Sequence, residues 1–401
     1  MIEIKPNIQH HSICPYCQAA LKPLTVKWHG MYSYVESQCV SCSTELIESL
    51  KISHLIDKYF QIDQKENNFW WKGTAIDHAK ILLDSLRNPE TEQLDICQEV
   101  FKPYNRVIIL NCIDHLYGHC LLKLLNAQRH LDADPDYGLV LIVPKFLRWM
   151  VPEGVAEVWT VPIPISKSFC YYPSFAEFVS EEIERFDEVY VSQAYSHPSQ
   201  FDITRFTRVP KHSFNQKDIK ITFIWREDRM WLNDRGLSDL VFRALRRHNM
   251  PLPLLVLQNW QVRRLFTKIR TQIPTAKFAI AGLGRGTQFP SWIEDHRVDK
   301  FNKDTEQQMC QLYSESRLVI GIHGSNMLLP SGHAGMTLDL MPDGRWNNFA
   351  QDILYQEPDP RIASFRYRYL PLTTSIKTLA YMAEKMIVTS SVFYSQMIAD
   401  K

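Results

Sequence analysis

Apolar and polar positions follow three rhythms along this chain. In residues 10–47 aromatic and polar positions alternate, with Trp28, Tyr32 and Tyr34 at even spacing, the period of a strand that buries one face. Residues 48–103 carry patches of helical period, clearest over 76–86, beside the aromatic cluster Phe69, Trp70 and Trp71, and read as a connector packed on the residues after it. From Tyr104 short apolar runs alternate with helical stretches, the pattern of a parallel sheet with crossover helices. The runs 107–110, 139–143 and 188–191 are predicted strands, with helices over 116–130 and 175–186. A loop-like stretch over 192–217 precedes a second series. It comprises strands over 219–225, 277–281, 318–322 and 336–340, helices over 237–247, 260–271 and 305–316, and a long terminal helix over 374–396. The expected fold class is therefore α/β, with two Rossmann-like domains over 104–215 and 216–401, a connector over 51–103 and a small module over 1–50.

Composition narrows the class without naming a partner. The chain has 401 residues, 45% of them hydrophobic, and 45 basic against 44 acidic side chains, so it can build sizeable cores and has no net field to steer it onto a polyanion. With 14 Gly and 22 Pro it is neither collagen-like nor of low complexity. The start, Met1 to Pro6, is too polar for a secretory leader, and the most apolar stretches stop well short of the ~20 residues a membrane-spanning helix needs. A soluble, cytoplasmic protein is the expectation.

Four of the nine cysteines form two pairs, Cys14-Pro15-Tyr16-Cys17 and Cys39-Val40-Ser41-Cys42. Each pair offers two thiolates to one edge of a tetrahedron, and an intervening hairpin brings the second pair round to close it. Four sulfur ligands leave no open position. A zinc held by Cys14, Cys17, Cys39 and Cys42 is thus expected to be structural, standing in for the core that so short a segment cannot build. His10 and His11 are further candidate ligands but are expected to be solvated. Lys5, Lys22 and Lys27 are the only strong cations before Lys51, too few for a stripe that tracks nucleic-acid phosphates.

The richest segment for chemistry runs from Leu318 to Pro342. An apolar strand enters the turn Gly321-Ile322-His323-Gly324, a short helix is predicted to open at Ser325-Asn326, and a second strand follows Ser331, His333 and Gly335. Free backbone N–H groups at such a turn suit a phosphate. Gly321 and Gly324 permit close approach, and Ser325, Asn326 and Ser331 add uncharged donors. The other reading is a helix-capping turn, which has no need of two imidazoles.

Taken together, the Gly-x-His-Gly turn, the apolar stretch to Pro330-Ser331 and the strand ending Asp339-Leu340-Met341-Pro342 resemble the donor-site region of glycosyltransferase family 61 and its bacterial relatives, enzymes of the GT-B type. The likeness is specific over 305–342, extends in layout over 104–400, and leaves the cysteine ribbon as an added module. Ser325-Asn326-Met327 stands where the family usually carries Ala-Gly-Leu, and Asp339 where relatives often have Glu. The resemblance implies two Rossmann-like domains in GT-B arrangement, with a nucleotide-sugar donor on the second. It also implies transfer to a glycan, protein or small-molecule hydroxyl, inverting and without a catalytic metal.

Three further groups find places in that scheme. Arg226 and Arg229 follow the first strand of the second domain, where a guanidinium neutralises a departing diphosphate; Glu227, Asp228 and Arg235 read as a solvated charge cluster. In Asn111 to Cys120, Asp114 and His119 are candidates for the base that removes the acceptor proton, although Asp114 is equally placed to cap a helix. Ala281-Gly282-Leu283-Gly284-Arg285-Gly286 lacks the following helix of a dinucleotide fingerprint, which leaves Gly282 and Gly284 as a loop beside the nucleotide base or a plain turn. The alternative function is a non-catalytic sugar-nucleotide or glycan binding module on the same fold.

Overall fold

Eleven strands between Ile2 and Val191 form two sheets that share a core. They are β1 (Ile2–Lys5), β2 (Leu21–His29), β3 (Tyr32–Cys39), β4 (Glu45–Ser49), β5 (Phe60–Asp63), β6 (Asn68–Trp71), β7 (Cys97–Val100), β8 (Arg106–Asn111), β9 (Gly138–Pro144), β10 (Glu157–Val161) and β11 (Glu188–Val191). The computed structural model describes residues 1–193, 200–231, 252–351 and 353–398; the expected helix over 237–247 and Arg235 lie outside them. The chain divides into two compact units, Met1–Phe206 and Thr207–Lys401.

In the first unit the strand order is β1-β11-β8-β9-β10-β7. The four inner strands are parallel, and β1 and β7 close the edges antiparallel. Residues 138–144 are buried throughout, which is why β9 reads as an unbroken apolar run and not as an alternation. Strand β10 escaped the sequence reading because its run, Glu157-Val-Trp-Thr-Val, is short and opens on a carboxylate. That carboxylate is buried and held by Arg185 at 2.8 Å. The predicted helix over 116–130 is two helices, Tyr117–Leu125 and Ala127–Ala133. They meet at Asn126, whose Nδ2 donates to the Leu122 carbonyl at 2.9 Å.

The cysteine-bearing segment opens a sheet that extends past residue 50. Strands β2 to β6 make one five-stranded antiparallel sheet that runs on to Trp71, while β1 belongs to the parallel sheet. Trp28, Tyr32, Tyr34 and Phe60 share one buried cluster with Val107, Ile109, Val140 and Trp159.

The second unit is a six-stranded sheet of β12 (Lys220–Trp225), β13 (Lys277–Gly282), β14 (Ile293–Asp295), β15 (Ser316–Ile322), β16 (Thr337–Met341) and β17 (Tyr367–Pro371). Its order is β14-β13-β12-β15-β16-β17, parallel throughout. Numbered within the unit that is 3-2-1-4-5-6, the doubly wound Rossmann order. The helix Leu252–Gln272 buries Leu255, Val262, Phe266 and Ile269 at helical spacing. The helix Lys303–Glu315 begins at a reciprocal cap, with Asn302 Oδ1 accepting from Thr305 N–H at 3.0 Å and Thr305 Oγ1 accepting from Asn302 N–H at 2.8 Å. Among the described residues no helix is long and apolar enough to cross a membrane.

Candidate functional site

In a doubly wound sheet the strand order reverses direction at one place, and ligands bind beyond the carboxyl ends of the strands there. In the second unit that place lies between β12 and β15. Arg226 and Arg229 follow β12, and His323 and Gly324 follow β15. The Arg226 Nη1 donates to Asn326 Oδ1 at 2.5 Å, and its Nε donates to Asp228 Oδ1 at 2.8 Å. The Arg229 guanidinium donates to the His323 carbonyl. Both guanidiniums converge over Gly324, whose φ of 145° suits a residue without a side chain. A Cβ there would lie 2.7 Å from Arg226 Nη1 and 2.8 Å from Arg229 Nη1. Gln258 fixes the base of this arm by donating to the Arg226 carbonyl at 3.1 Å.

Behind the turn, His323 and Asp339 are buried. The His323 Nδ1 lies 3.1 Å from Asp339 Oδ2, which also accepts from the Tyr367 hydroxyl at 2.7 Å. Tyr367, on β17, was not foreseen, because nothing local marks it. Ser325 is exposed on a single 3-10 turn, Ser325–Met327, that leads into the six-residue helix Leu328–His333.

Other candidate residues have internal partners. Ser331 is turned inward: its hydroxyl donates to the Leu328 carbonyl at 2.9 Å and accepts from the Leu354 N–H at 3.2 Å. His333 is wholly buried and fastens the start of the unit, with Nε2 3.1 Å from Thr207 Oγ1 and Nδ1 3.1 Å from the Pro210 carbonyl. The second imidazole is therefore structural. Gly282 adopts φ 124° where an added Cβ would strike the Trp225 carbonyl, and Gly284 packs against the Glu227 carboxylate. Glu227 is not merely solvated, since it accepts from Trp225 Nε1 at 3.2 Å and from Gly286 N–H at 3.1 Å. The plain-turn reading accounts for both glycines.

The corresponding edge in the first unit lies beyond β8, where Asp114 is buried under three imidazoles and an ammonium. Asp114 Oδ1 accepts from the His115 N–H at 2.8 Å and lies 3.1 Å from His119 Nδ1. Asp114 Oδ2 lies 2.8 Å from His54 Nε2 and 2.9 Å from Lys123 Nζ. Burial by itself would raise the Asp114 pKa; the Lys123 ammonium, with hydrogen bonds from His115, His119 and His54, overrides it and holds the carboxyl far below the usual range. The Asp114 side chain does not cap the helix, which begins after Leu116 without a side-chain cap. Lys123 lies one helical turn beyond His119, a spacing visible in the sequence. His54 comes from the segment Ser53–Leu55, and no sequence signal links it to Asp114. Beside it, burial and then Lys58 push the His78 pKa down to about 4.

The thiols of Cys14, Cys17, Cys39 and Cys42 form a four-cysteine cluster that could hold a metal ion. Sulfur separations of 3.7 Å for Cys14–Cys42, 3.3 Å for Cys17–Cys39 and 3.6 Å for Cys17–Cys42 suit a tetrahedron with metal–sulfur bonds of about 2.3 Å. The N–H groups of Ser41 and Cys42 both point at Cys39 Sγ, at 3.4 Å each. His11 is exposed as expected; His10 is buried instead, 3.3 Å from Glu48 Oε2.

No protein family and no curated protein matches the chain. Among solved structures it is similar to the ADP-heptose lipopolysaccharide heptosyltransferase II of E. coli, with 9% identity over 71% of this chain and 99% of that one, and a TM-score of 0.40. It is also similar to the iron-containing dodecameric glycosyltransferase TibC of enterotoxigenic E. coli, with 9% identity over 82% and 78% of the two chains and a TM-score of 0.30. These likenesses are too distant to assign a role to any residue.

Proposed function

We propose that the chain is a glycosyltransferase of GT-B type that moves a sugar from a nucleotide-sugar donor to a hydroxyl acceptor with inversion. One observation carries the reading: the convergence of Arg226 and Arg229 over Gly324 at the strand-order reversal of a Rossmann sheet. The leaving nucleotide gains negative charge as the glycosidic bond breaks, and two preset guanidiniums offset it without reorganising. His323, Ser325 and Asn326 border the same turn, and Asp339 holds the His323 ring.

For the acceptor, the reading uses His119 with Asp114. Asp114 is too strongly held as an anion to accept a proton at neutral pH, so its part is to orient. With Nδ1–H donating to Asp114, His119 keeps its lone pair on Nε2, the atom that accepts the hydroxyl proton. The four-cysteine site takes a structural zinc in this reading. Two Cys-x-x-Cys pairs of metal-ligand spacing and five scattered single cysteines support a reducing, cytoplasmic setting.

The test is turnover and thermal unfolding of Arg226→Ala and His323→Ala beside the parent, after the donor base has been found by thermal shift with UDP, GDP, CMP, dTDP and ADP. A nucleotide at ~100 times its Kd stabilises by about 2.7 kcal/mol. Each variant is expected to lose on the order of 10² to 10³ in turnover, a larger effect than its loss of stability. Unchanged turnover in both would overturn the donor site, and a nucleotide shift without any turnover would favour the binding-module alternative.

A further inference from the structure

We infer that His54, Asp114, His115 and His119 form a second metal site, distinct from the four cysteines and selective for nitrogen-loving divalent ions such as zinc or cobalt. Each residue offers one ligand atom, and all four atoms lie within 4.8 Å of one another. Three imidazoles and one carboxylate are a donor set for zinc, cobalt or nickel. Asp114 Oδ1 lies 3.0 Å from His115 Nδ1 and 3.1 Å from His119 Nδ1, and Asp114 Oδ2 lies 2.8 Å from His54 Nε2, near the ligand spacing of about 3.3 Å that tetrahedral bonds of 2.0–2.1 Å produce.

His115 belongs to this set by geometry: its Nδ1 is buried and lies 3.0 Å from Asp114 Oδ1. Selectivity follows from charge. Calcium and magnesium need several oxygen ligands, whereas this site has one carboxylate, and Lys123 already shares it at 2.9 Å.

An ion bound to His119 Nδ1 leaves the ring proton on Nε2, the atom that would accept the hydroxyl proton, so metal binding and base action by His119 exclude each other. The site is nevertheless independent of the transfer reading, because its uptake is measured with neither donor nor acceptor present.

The experiment is equilibrium dialysis of the full chain against zinc, with metal analysis. Two ions per chain are expected in the parent, one in Cys39→Ser, and one in a His54→Gln/His115→Gln double variant. A single ion in the parent, or two ions retained by the histidine variant, overturns the site. Should that variant fail to fold, cobalt added to the parent with one equivalent of zinc already in the cysteines gives the answer. The expected spectrum has no thiolate charge-transfer band, together with three paramagnetically shifted imidazole N–H resonances in the proton NMR spectrum; their absence overturns the proposal.

Discussion

Around Asp114 in the first unit, a fixed ammonium and hydrogen bonds from three histidines converge on one buried carboxylate. Around Asp339 in the second, the partners are the Tyr367 hydroxyl and the His323 ring, and Oδ1 is buried without a hydrogen-bond partner. No lysine or arginine pairs with Asp339 among the described residues. Both carboxylates hold a histidine at the carboxyl edge of a Rossmann sheet, yet one is also paired with a lysine and the other with a tyrosine hydroxyl. Residue type alone does not set the chemistry of such a pair. What else the fold delivers to the carboxylate does.

The comparison breaks most visibly if charge is removed from each pair. Asp114→Asn leaves Lys123 buried without its counter-charge, which costs about 3–5 kcal/mol, whereas Asp339→Asn disturbs the hydrogen bonds to Tyr367 and His323 and costs about 1–3 kcal/mol. Denaturant unfolding of the two variants measures both. Equal losses would mean that Lys123 is not the partner that matters.

A second test sharpens the contrast through acid. His29 lies in the core of the first unit, 2.6 Å from Ser85 Oγ, and burial lowers its pKa from 6.5 to about 4. The neutral ring is thus the folded form. Its contribution is complete above pH 6.5 and is lost as pH falls towards 4, because over that window only the unfolded chain takes up the proton. The full shift corresponds to about 3 kcal/mol. In the second unit His212, bonded to the Ser314 carbonyl, is also lowered to about 4, so the whole chain softens in acid. His29→Gln is expected to remove the share that His29 contributes, read as a flatter unfolding free energy between pH 7 and 4; a profile that overlays the parent's would count against it.

The smallest effect concerns backbone. The second unit's edge depends on glycine where the first depends on charge: Gly282→Ala places a methyl against the Trp225 carbonyl at positive φ and is expected to cost about 1–3 kcal/mol. Gly344→Ala, with nothing within 4 Å of the added atom, is the control and should leave melting unchanged.

Much of this architecture is legible along the chain. Strands β8, β9, β12 and β15 announce themselves because both their faces are buried, so their runs are apolar but for Thr222 in β12. The cysteine pairs and the Gly-x-His-Gly turn are equally plain, since the ligands of a knuckle and the residues of a turn are neighbours in sequence. Their chemistry is local.

Only the tertiary structure decides the rest. It brings His54 onto Asp114 across 60 residues, pairs β1 with β11, assigns His323 to Asp339 but His333 to Thr207, and fills the space beside Gly284 with Glu227. A buried charge or polar group must be answered by whichever partner the topology carries to it, and that demand leaves no period and no spacing in the sequence. Hydrophobic burial acts at every second or fourth residue and writes a pattern; the pairing of buried polar groups acts once, between positions that only the fold makes adjacent.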